Sequence, residues 1–146
     1  MSESLYAKGL VFLQFSIIGV MLLFSHGLRH SPLALSVFGL FLLFGIIAIT
    51  HNQLGNYHIQ PKLRENSELI TTGIYTYIRH PMYTSVIGMM LGVLISTPTL
   101  VEFLLFGILI GVLLLKAKKE ESLWLNHDDA YEEYKRSSKF FIPFIL

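Results

Sequence analysis

Four long apolar runs constrain this chain more than any other feature of its sequence. Separated by polar segments, they cover Gly9–Phe24, Leu33–Ile49, Met82–Ile95 and Leu100–Leu115, and the one acidic or basic residue inside them is Glu102. A helix at the surface of a soluble protein carries a polar face, whereas these runs are apolar nearly all round. A chain of 146 residues is too small to cover four such helices with other protein. The runs therefore predict membrane-spanning helices.

The predicted fold class is all-α, a polytopic membrane protein with four transmembrane helices in a single domain over residues 1–146. We expect helices over about residues 5–24, 33–50, 81–96 and 100–118, because flanking residues extend runs that fall slightly short of the roughly 20 residues a span requires. The composition agrees, since 53% of the residues are hydrophobic and 14% are charged, against about 25% charged in soluble domains. There is no cysteine, which excludes thiolate chemistry, and we expect no metal site.

The lysines and arginines are distributed unevenly between the two sides that four spans define. Ten of the 11 fall on the side that holds the amino terminus, residues 51–80 and residues 116–146, and Arg29 falls on the other. Because short loops rich in these residues stay in the cytoplasm, we expect both termini and the segments 51–80 and 119–146 to be cytoplasmic. The net charge of +1 creates no bulk field that would attract nucleic acid. The expected partner is the lipid bilayer, because the apolar runs predict membrane spans.

The second polar segment continues the fourth helix and then becomes amphipathic. Three lysines precede two glutamates, a run typical of a solvated face with pairs such as Lys116–Glu120. Further on, polar and aromatic residues share one helical face: Trp124, His127, Tyr131, Tyr134 and Ser138. This pattern predicts a carboxyl-terminal helix lying at the membrane interface. Phe140–Leu146 is too short to span, so we expect it to dip into the interface or pack on the bundle.

The first polar segment concentrates chemistry-bearing residues where the third helix begins. Pro81 suits the first turn of a helix, and His80 before it is forced out of helical geometry. Arg79 and His80 therefore lie at a helix start, whose free N–H groups favour an anion, and Tyr75 and Tyr83 add aromatic faces. A single arginine or histidine at an interface is more often an anchor than a ligand. Their density here favours a functional site.

Two blocks of the sequence resemble a known family. The run Gly73–Tyr83 reads G-x-Y-x-x-x-R-H-P-x-Y, which is similar to the signature of integral-membrane methyltransferases related to isoprenylcysteine carboxyl methyltransferase and to phospholipid N-methyltransferases. Downstream lie the residues that resemble the second block of those proteins: Glu120, Glu121, Leu123, Tyr131, Tyr134 and Pro143. Two blocks in this order, separated by one helical hairpin, form a specific signal that covers about residues 50–146.

The resemblance implies that S-adenosylmethionine is the methyl donor and binds at the cytoplasmic ends of the last helices, without a Rossmann domain. By motif position, the residues that would bind it are Gly73, Tyr75, His80, Tyr83, Glu120, Glu121, Tyr131 and Tyr134. The catalytic candidates are Arg79 and Arg136, which would orient the carboxylate of the acceptor or of the cofactor. Many members carry an arginine three residues after the second tyrosine, where this chain has Ser137.

The predicted function is transfer of a methyl group from S-adenosylmethionine to a lipid-like or membrane-partitioned acceptor at the cytoplasmic membrane face, as in isoprenylcysteine carboxyl methyltransferase. Methylation of a phospholipid amine is the alternative within enzymes. It requires a general base such as His80 or His127, because an ammonium must lose its proton first. A non-catalytic membrane scaffold or complex subunit is the alternative from another class. The first two helices show no chemistry in the sequence.

Overall fold

The computed structural model describes residues 3–52 and 68–141, with side chains from Leu5 onward. Every regular element in these ranges is helical, which confirms the all-α prediction. The helices are α1 (Glu3–Phe24), α2 (Pro32–His51), α3 (Pro81–Ser96), α4 (Leu100–His127) and α5 (Ala130–Ser137). Short 3₁₀ turns occupy Leu28–His30 and Gly73–Thr76.

Three of these helices are long and apolar enough to cross a membrane, namely α1, α2 and α4. The apolar helix α3 has 16 residues and is shorter than the usual span. The count of four spans and the placement of both termini in the cytoplasm therefore stay predictions. The apolar run of α4 ends at Leu115 and the turns from Lys118 onward are polar, so we expect these turns to lie beyond its membrane-spanning part.

Local signals in the sequence explain where the helices begin. The Ser31 hydroxyl accepts a hydrogen bond from Ala34 N at 3.3 Å, one residue before α2. α3 begins at Pro81, as predicted, and His80 before it has φ −122° and ψ 56°, outside the helical region.

The amphipathic carboxyl-terminal region forms two helices rather than one. α4 continues past residue 118 to His127, and Asp128 is then extended with φ −145° and ψ 117°. The Asp128 carboxylate accepts from Ala130 N at 2.9 Å, so a local side-chain bond replaces a helical one. Trp124 consequently lies on α4 and Tyr131 on α5. Whether α5 lies on the membrane interface stays a prediction, and residues 142–146 lie outside the described residues.

Close packing of α2 against α3 depends on glycine. A side chain at Gly88 would collide with the Phe41 ring, and one at Gly45 would collide with Ser85, whose hydroxyl donates to Phe41 O at 2.7 Å. Gly92 similarly lies against the backbone of α2. Small residues allow this approach, which favours dispersion contacts between helices in lipid.

The apolar core lies among α1, α3 and α4. It includes Met21 from α1, Val93 from α3 and Leu113 from α4, each fully buried. Large apolar side chains on the outer faces, such as Phe12 on α1 and Leu40 on α2, remain exposed. An apolar exterior around an apolar core is what a bilayer requires of helices that it surrounds.

Candidate functional site

The two motif blocks meet where α3 begins and α4 leaves its apolar run. The residues after α5 run back to the first block, and Ile78 forms a parallel bridge with Lys139. Arg79 N donates to Lys139 O at 2.8 Å, and Lys139 N donates to Tyr77 O at 2.9 Å. We call residues 138–141 the carboxyl-terminal strap. These backbone bonds hold the strap against the segment that precedes α3.

Arg79 joins the strap to α4. Its Nε lies 2.6 Å from Glu121 Oε1, and both side chains are less than 10% exposed. Its Nη1 donates to Lys135 O at 3.0 Å and to Ser138 O at 2.5 Å. Because these bonds engage two of its three nitrogens, the geometry favours a role for Arg79 in holding the site together.

Glu121 is surrounded by basic side chains. Besides Arg79, Lys135 Nζ lies 3.0 Å from Oε2 and His80 Nε2 lies 3.5 Å from Oε1. Burial raises the pKa of Glu121, but the contacts with His80, Lys135 and Arg79 outweigh it and hold this pKa at about 2. Glu121 is therefore a carboxylate at neutral pH whose charge is already matched by the protein.

Glu120 has a different environment from its neighbour. It accepts a hydrogen bond from the Tyr83 hydroxyl, and its Oε2 lies 3.7 Å from His80 Nδ1. Burial raises the pKa of Glu120, although His80, Tyr83 and Lys116 act in the opposite direction. The pKa values of the two adjacent carboxyl groups are therefore shifted in opposite directions, up for Glu120 and down for Glu121. This arrangement is common where two acids have separate roles.

His80 lies between the two glutamates. Its ring stacks on Tyr83 with a centroid distance of 5.7 Å, and Phe140 of the strap lies edge-on at 4.9 Å. The side chain is buried, and within the described part of the chain its Nε2 makes no hydrogen bond, although Glu121 Oε1 lies 3.5 Å away. A buried ring nitrogen is stabilised when a neighbouring group or a ligand supplies a hydrogen-bond partner.

The tyrosines of both blocks are buried together. The Tyr134 hydroxyl donates to Tyr75 O at 2.7 Å, and Tyr131 stacks on Trp124 with centroids 6.0 Å apart. Burial raises the pKa of Tyr134 to about 12, and burial also raises that of Tyr131, so both hydroxyls stay protonated. Gly73 has φ +60°, a conformation that favours glycine, and forms the turn before Tyr75.

The structure does not bring Arg136 into this cluster. Its Nη2 pairs with Glu132 Oε1 at 2.8 Å on α5, and both side chains are more than 60% exposed. His127, the other base named for an amine acceptor, lies exposed at the end of α4 beside Trp124. Arg79, Tyr83 and the two glutamates lie around His80. Gly73 and Tyr75 lie beside His51 at the end of α2, and Tyr75 is joined to the second block through Tyr134.

Sequence reasoning missed two residues at the site, Lys116 and Gln14. Lys116, interpreted as part of a solvated face, is 2% exposed, so that interpretation is wrong. Its Nζ lies 2.6 Å from Gln14 Oε1 and 5.1 Å from the centroid of the Tyr83 ring. Gln14 was the available signal, because a lone amide in an apolar run requires a partner.

The fold and the cluster together define an integral membrane protein whose polar site lies at one end of an apolar helix bundle. A comparison with known families identifies the class, since residues 28–128 match the family described as phospholipid methyltransferase. This range covers more than half of the 146 residues, and the chain belongs to the phospholipid methyltransferase family. A search of curated proteins found no match. Family membership implies a membrane methyltransferase, in agreement with the resemblance of its two sequence blocks.

Proposed function

We propose that this protein transfers a methyl group from S-adenosylmethionine to an acceptor dissolved in the membrane. The observation that carries the proposal is the meeting of the two motif blocks around His80, with Glu120 and Glu121 on either side of its ring. Residues from the start of α3, the end of α4 and α5 thus form one polar cluster. A bilayer acceptor would reach this cluster between the helices, and a water-soluble donor would reach it from the cytoplasmic face.

The residues present fit S-adenosylmethionine. Buried His80 offers a hydrogen-bonding position, since its Nε2 makes no hydrogen bond within the described residues and lies 3.5 Å from Glu121. Glu120 offers a carboxylate to the donor's ammonium or ribose hydroxyls. Tyrosine faces attract a sulfonium cation by about 0.5–2 kcal/mol. When bound, S-adenosylmethionine would supply the activated methyl group. Gly73, Tyr75, Tyr131 and Tyr134 would form the surrounding wall, with Glu121 and Arg79 holding that wall in place.

Calorimetric titration of the purified, full-length protein with S-adenosylhomocysteine tests the donor site. We expect saturable binding in the wild type and its loss in His80→Ala and Glu120→Gln. Arg136→Ala is the matched control, because its side chain is exposed and outside the cluster. If the wild type does not bind while it is shown to be folded, a scaffold without catalysis becomes the better explanation. If His80→Ala binds like the wild type, the site assignment fails.

We further propose that the acceptor is the amine of a phospholipid. The family description supports this acceptor, and so does Ser137, which stands where a carboxylate-binding arginine occurs in many proteins with these blocks. An ammonium must lose a proton before its nitrogen can accept a methyl group. Glu120 and His80, 3.7 Å apart, are placed to take it up.

Transfer of labelled methyl groups to two kinds of acceptor separates the alternatives. We expect label in phosphatidylethanolamine, with a rate that rises with pH as the proton acceptor is deprotonated. Label in a prenylcysteine instead, at a rate that does not rise with pH, would favour carboxyl methylation, because a carboxylate has no proton to lose. Arg136→Ala again serves as the control for general damage.

A further inference from the structure

Lys116 is directed into the helix bundle. A lysine at a membrane boundary normally extends to the polar surface, where its ammonium stays hydrated. Lys116 is instead 2% exposed, and its Nζ reaches Gln14 Oε1 of α1 at 2.6 Å. The ammonium also lies over the Tyr83 ring, 5.1 Å from its centroid. The charge of Lys116 is therefore enclosed by protein directly beside the candidate site.

The hydrogen-bonding capacity of Lys116 is only partly used. An ammonium carries three N–H donors. Over residues 3–52 and 68–141, the one hydrogen bond of its Nζ goes to the neutral amide oxygen of Gln14. Glu120 lies one helical turn further along α4 and interacts with Lys116 electrostatically, but its carboxylate accepts its hydrogen bond from Tyr83 and lies beside His80. Two N–H donors of the buried ammonium thus have no acceptor among the described residues, and an anion that brings further acceptors would satisfy them.

The depth of Lys116 suits the headgroup of an amphiphile. It follows the last residue of the apolar run, Leu115, where a spanning helix passes from hydrocarbon to headgroups. Basic side chains between helices at this depth bind anionic lipid groups. Tyr83 connects this position with the methyl-transfer site, because its ring stacks on His80 and its hydroxyl donates to Glu120.

We propose that Lys116 and Gln14 bind the anionic group, a phosphate or a carboxylate, of the membrane amphiphile that accepts the methyl group. This inference rests on the proposed function. Lys116 supplies charge and N–H donors, and the Gln14 amide orients the ammonium and adds N–H donors of its own. Gln14 lies on α1, outside the range 28–128 that matches the family. The first helix would thus contribute a binding residue as well as apolar packing.

Binding of three amphiphiles to the full-length protein in a neutral detergent, followed by native mass spectrometry, tests the proposal. Phosphatidylethanolamine carries a phosphate, N-acetyl-farnesylcysteine carries a carboxylate, and oleylamine carries no anion. We expect the wild type to retain at least one anionic amphiphile, and Lys116→Met to bind it roughly tenfold or more weakly. Lys118→Met is the matched control, because Lys118 lies two residues along the same helix and is exposed.

The identity of the retained amphiphile distinguishes a phosphate from a carboxylate. Retention of oleylamine as strong as that of both anionic amphiphiles would overturn the proposal. So would equal binding by Lys116→Met and the wild type, or wild-type retention of neither anionic amphiphile.

Gln14→Glu keeps the proposal testable if Lys116→Met does not fold. The substitution is nearly isosteric and places a carboxylate against the ammonium at the 2.6 Å position of the amide oxygen. If Gln14 and Lys116 only stabilise the bundle, this variant should bind amphiphiles like the wild type. Under the proposal the new carboxylate occupies the anion position, and binding should fall roughly tenfold or more. Unchanged binding would refute the proposal.

S-adenosylhomocysteine titration of the same preparations separates the two levels of inference. The proposal is supported if the wild type, Lys116→Met and Gln14→Glu all bind this compound equally and both variants lose the anionic amphiphile. If this compound binds but amphiphile retention is insensitive to both substitutions, only the Lys116 assignment fails. If the wild type does not bind this compound, the proposed function fails, and with it the role of the amphiphile as a methyl acceptor.

Discussion

Replacement of Arg79 with methionine should release the carboxyl-terminal strap from α4. The substitution removes the 2.6 Å contact with Glu121 and the bonds to two backbone carbonyls. Breaking a buried ion pair by removing one partner costs about 3–5 kcal/mol, because the other charge stays buried. Glu121 keeps Lys135 at 3.0 Å, a residue that is 42% exposed. We therefore expect the free energy of unfolding to fall by an amount near the lower limit, about 3 kcal/mol.

Thermal unfolding in detergent, followed by tryptophan fluorescence, measures this loss. Trp124 is the single tryptophan and stacks on Tyr131 of α5, so it reports on the docking of this region. At roughly 2–4 °C per kcal/mol, Arg79→Met should lower the Tm by about 6–12 °C. Arg136→Met is the control, because its exposed pair with Glu132 is worth only about 0.3–0.5 kcal/mol.

Arg79→Lys tests whether geometry matters as well as charge. Lysine retains the positive charge but lacks the planar fork that reaches Glu121 and the carbonyls of Lys135 and Ser138 together, so we expect an intermediate loss of stability. Equal Tm shifts for Arg79→Met and Arg136→Met would refute the argument, since burial would then make no difference. Wild-type stability in Arg79→Met would show that the strap is held by its backbone bonds and aromatic contacts alone.

Three further predictions concern the same fold. The pKa of Glu121 is lowered from 4.5 to about 2, so its stabilisation is complete above pH 4.5 and is lost as the pH falls toward 2, which an acid titration of Trp124 fluorescence would follow. Gly88→Leu should disrupt the packing of α2 on α3 and lower detergent Tm strongly, whereas Gly39→Leu, in open space, should leave the Tm nearly unchanged. Tyr134→Phe should lower the free energy of unfolding by about 0.5–1.5 kcal/mol, measured by chemical unfolding, because it removes the hydrogen bond from the Tyr134 hydroxyl to Tyr75 O.

Much of the fold follows from local sequence signals. Apolar runs without a polar face predict helices in lipid, and these runs correspond to α1, α2, α3 and α4. Pro81 sets the start of α3 because a proline lacks the N–H that a later helical position would require. The helix break at Asp128 was not predicted. The bond that its carboxylate accepts from the nearby Ala130 N is only slightly favoured over a helical hydrogen bond, so the sequence does not show which forms.

Most residues of the candidate site could be predicted as a list, but their arrangement could not. Consecutive glutamates look alike in a sequence, yet Glu121 faces three basic side chains and Glu120 faces Tyr83 and His80. A helix turns by about 100° per residue, so neighbours point toward different surroundings. The divergent pKa values of Glu120 and Glu121 follow from that turn and from the position of the strap.

The sequence alone determined where the apolar helices lie and which two blocks resemble those of membrane methyltransferases, because hydrophobic patterning and motif spacing are properties of the chain itself. Only the tertiary structure decided that Gln14 of α1 meets Lys116, 102 residues away, and that Arg79 is engaged by the strap while Arg136 is not. Such pairings depend on which helix faces meet. In a membrane, apolar runs favour many packings nearly equally, so contacts between small residues and a few buried polar groups select among them.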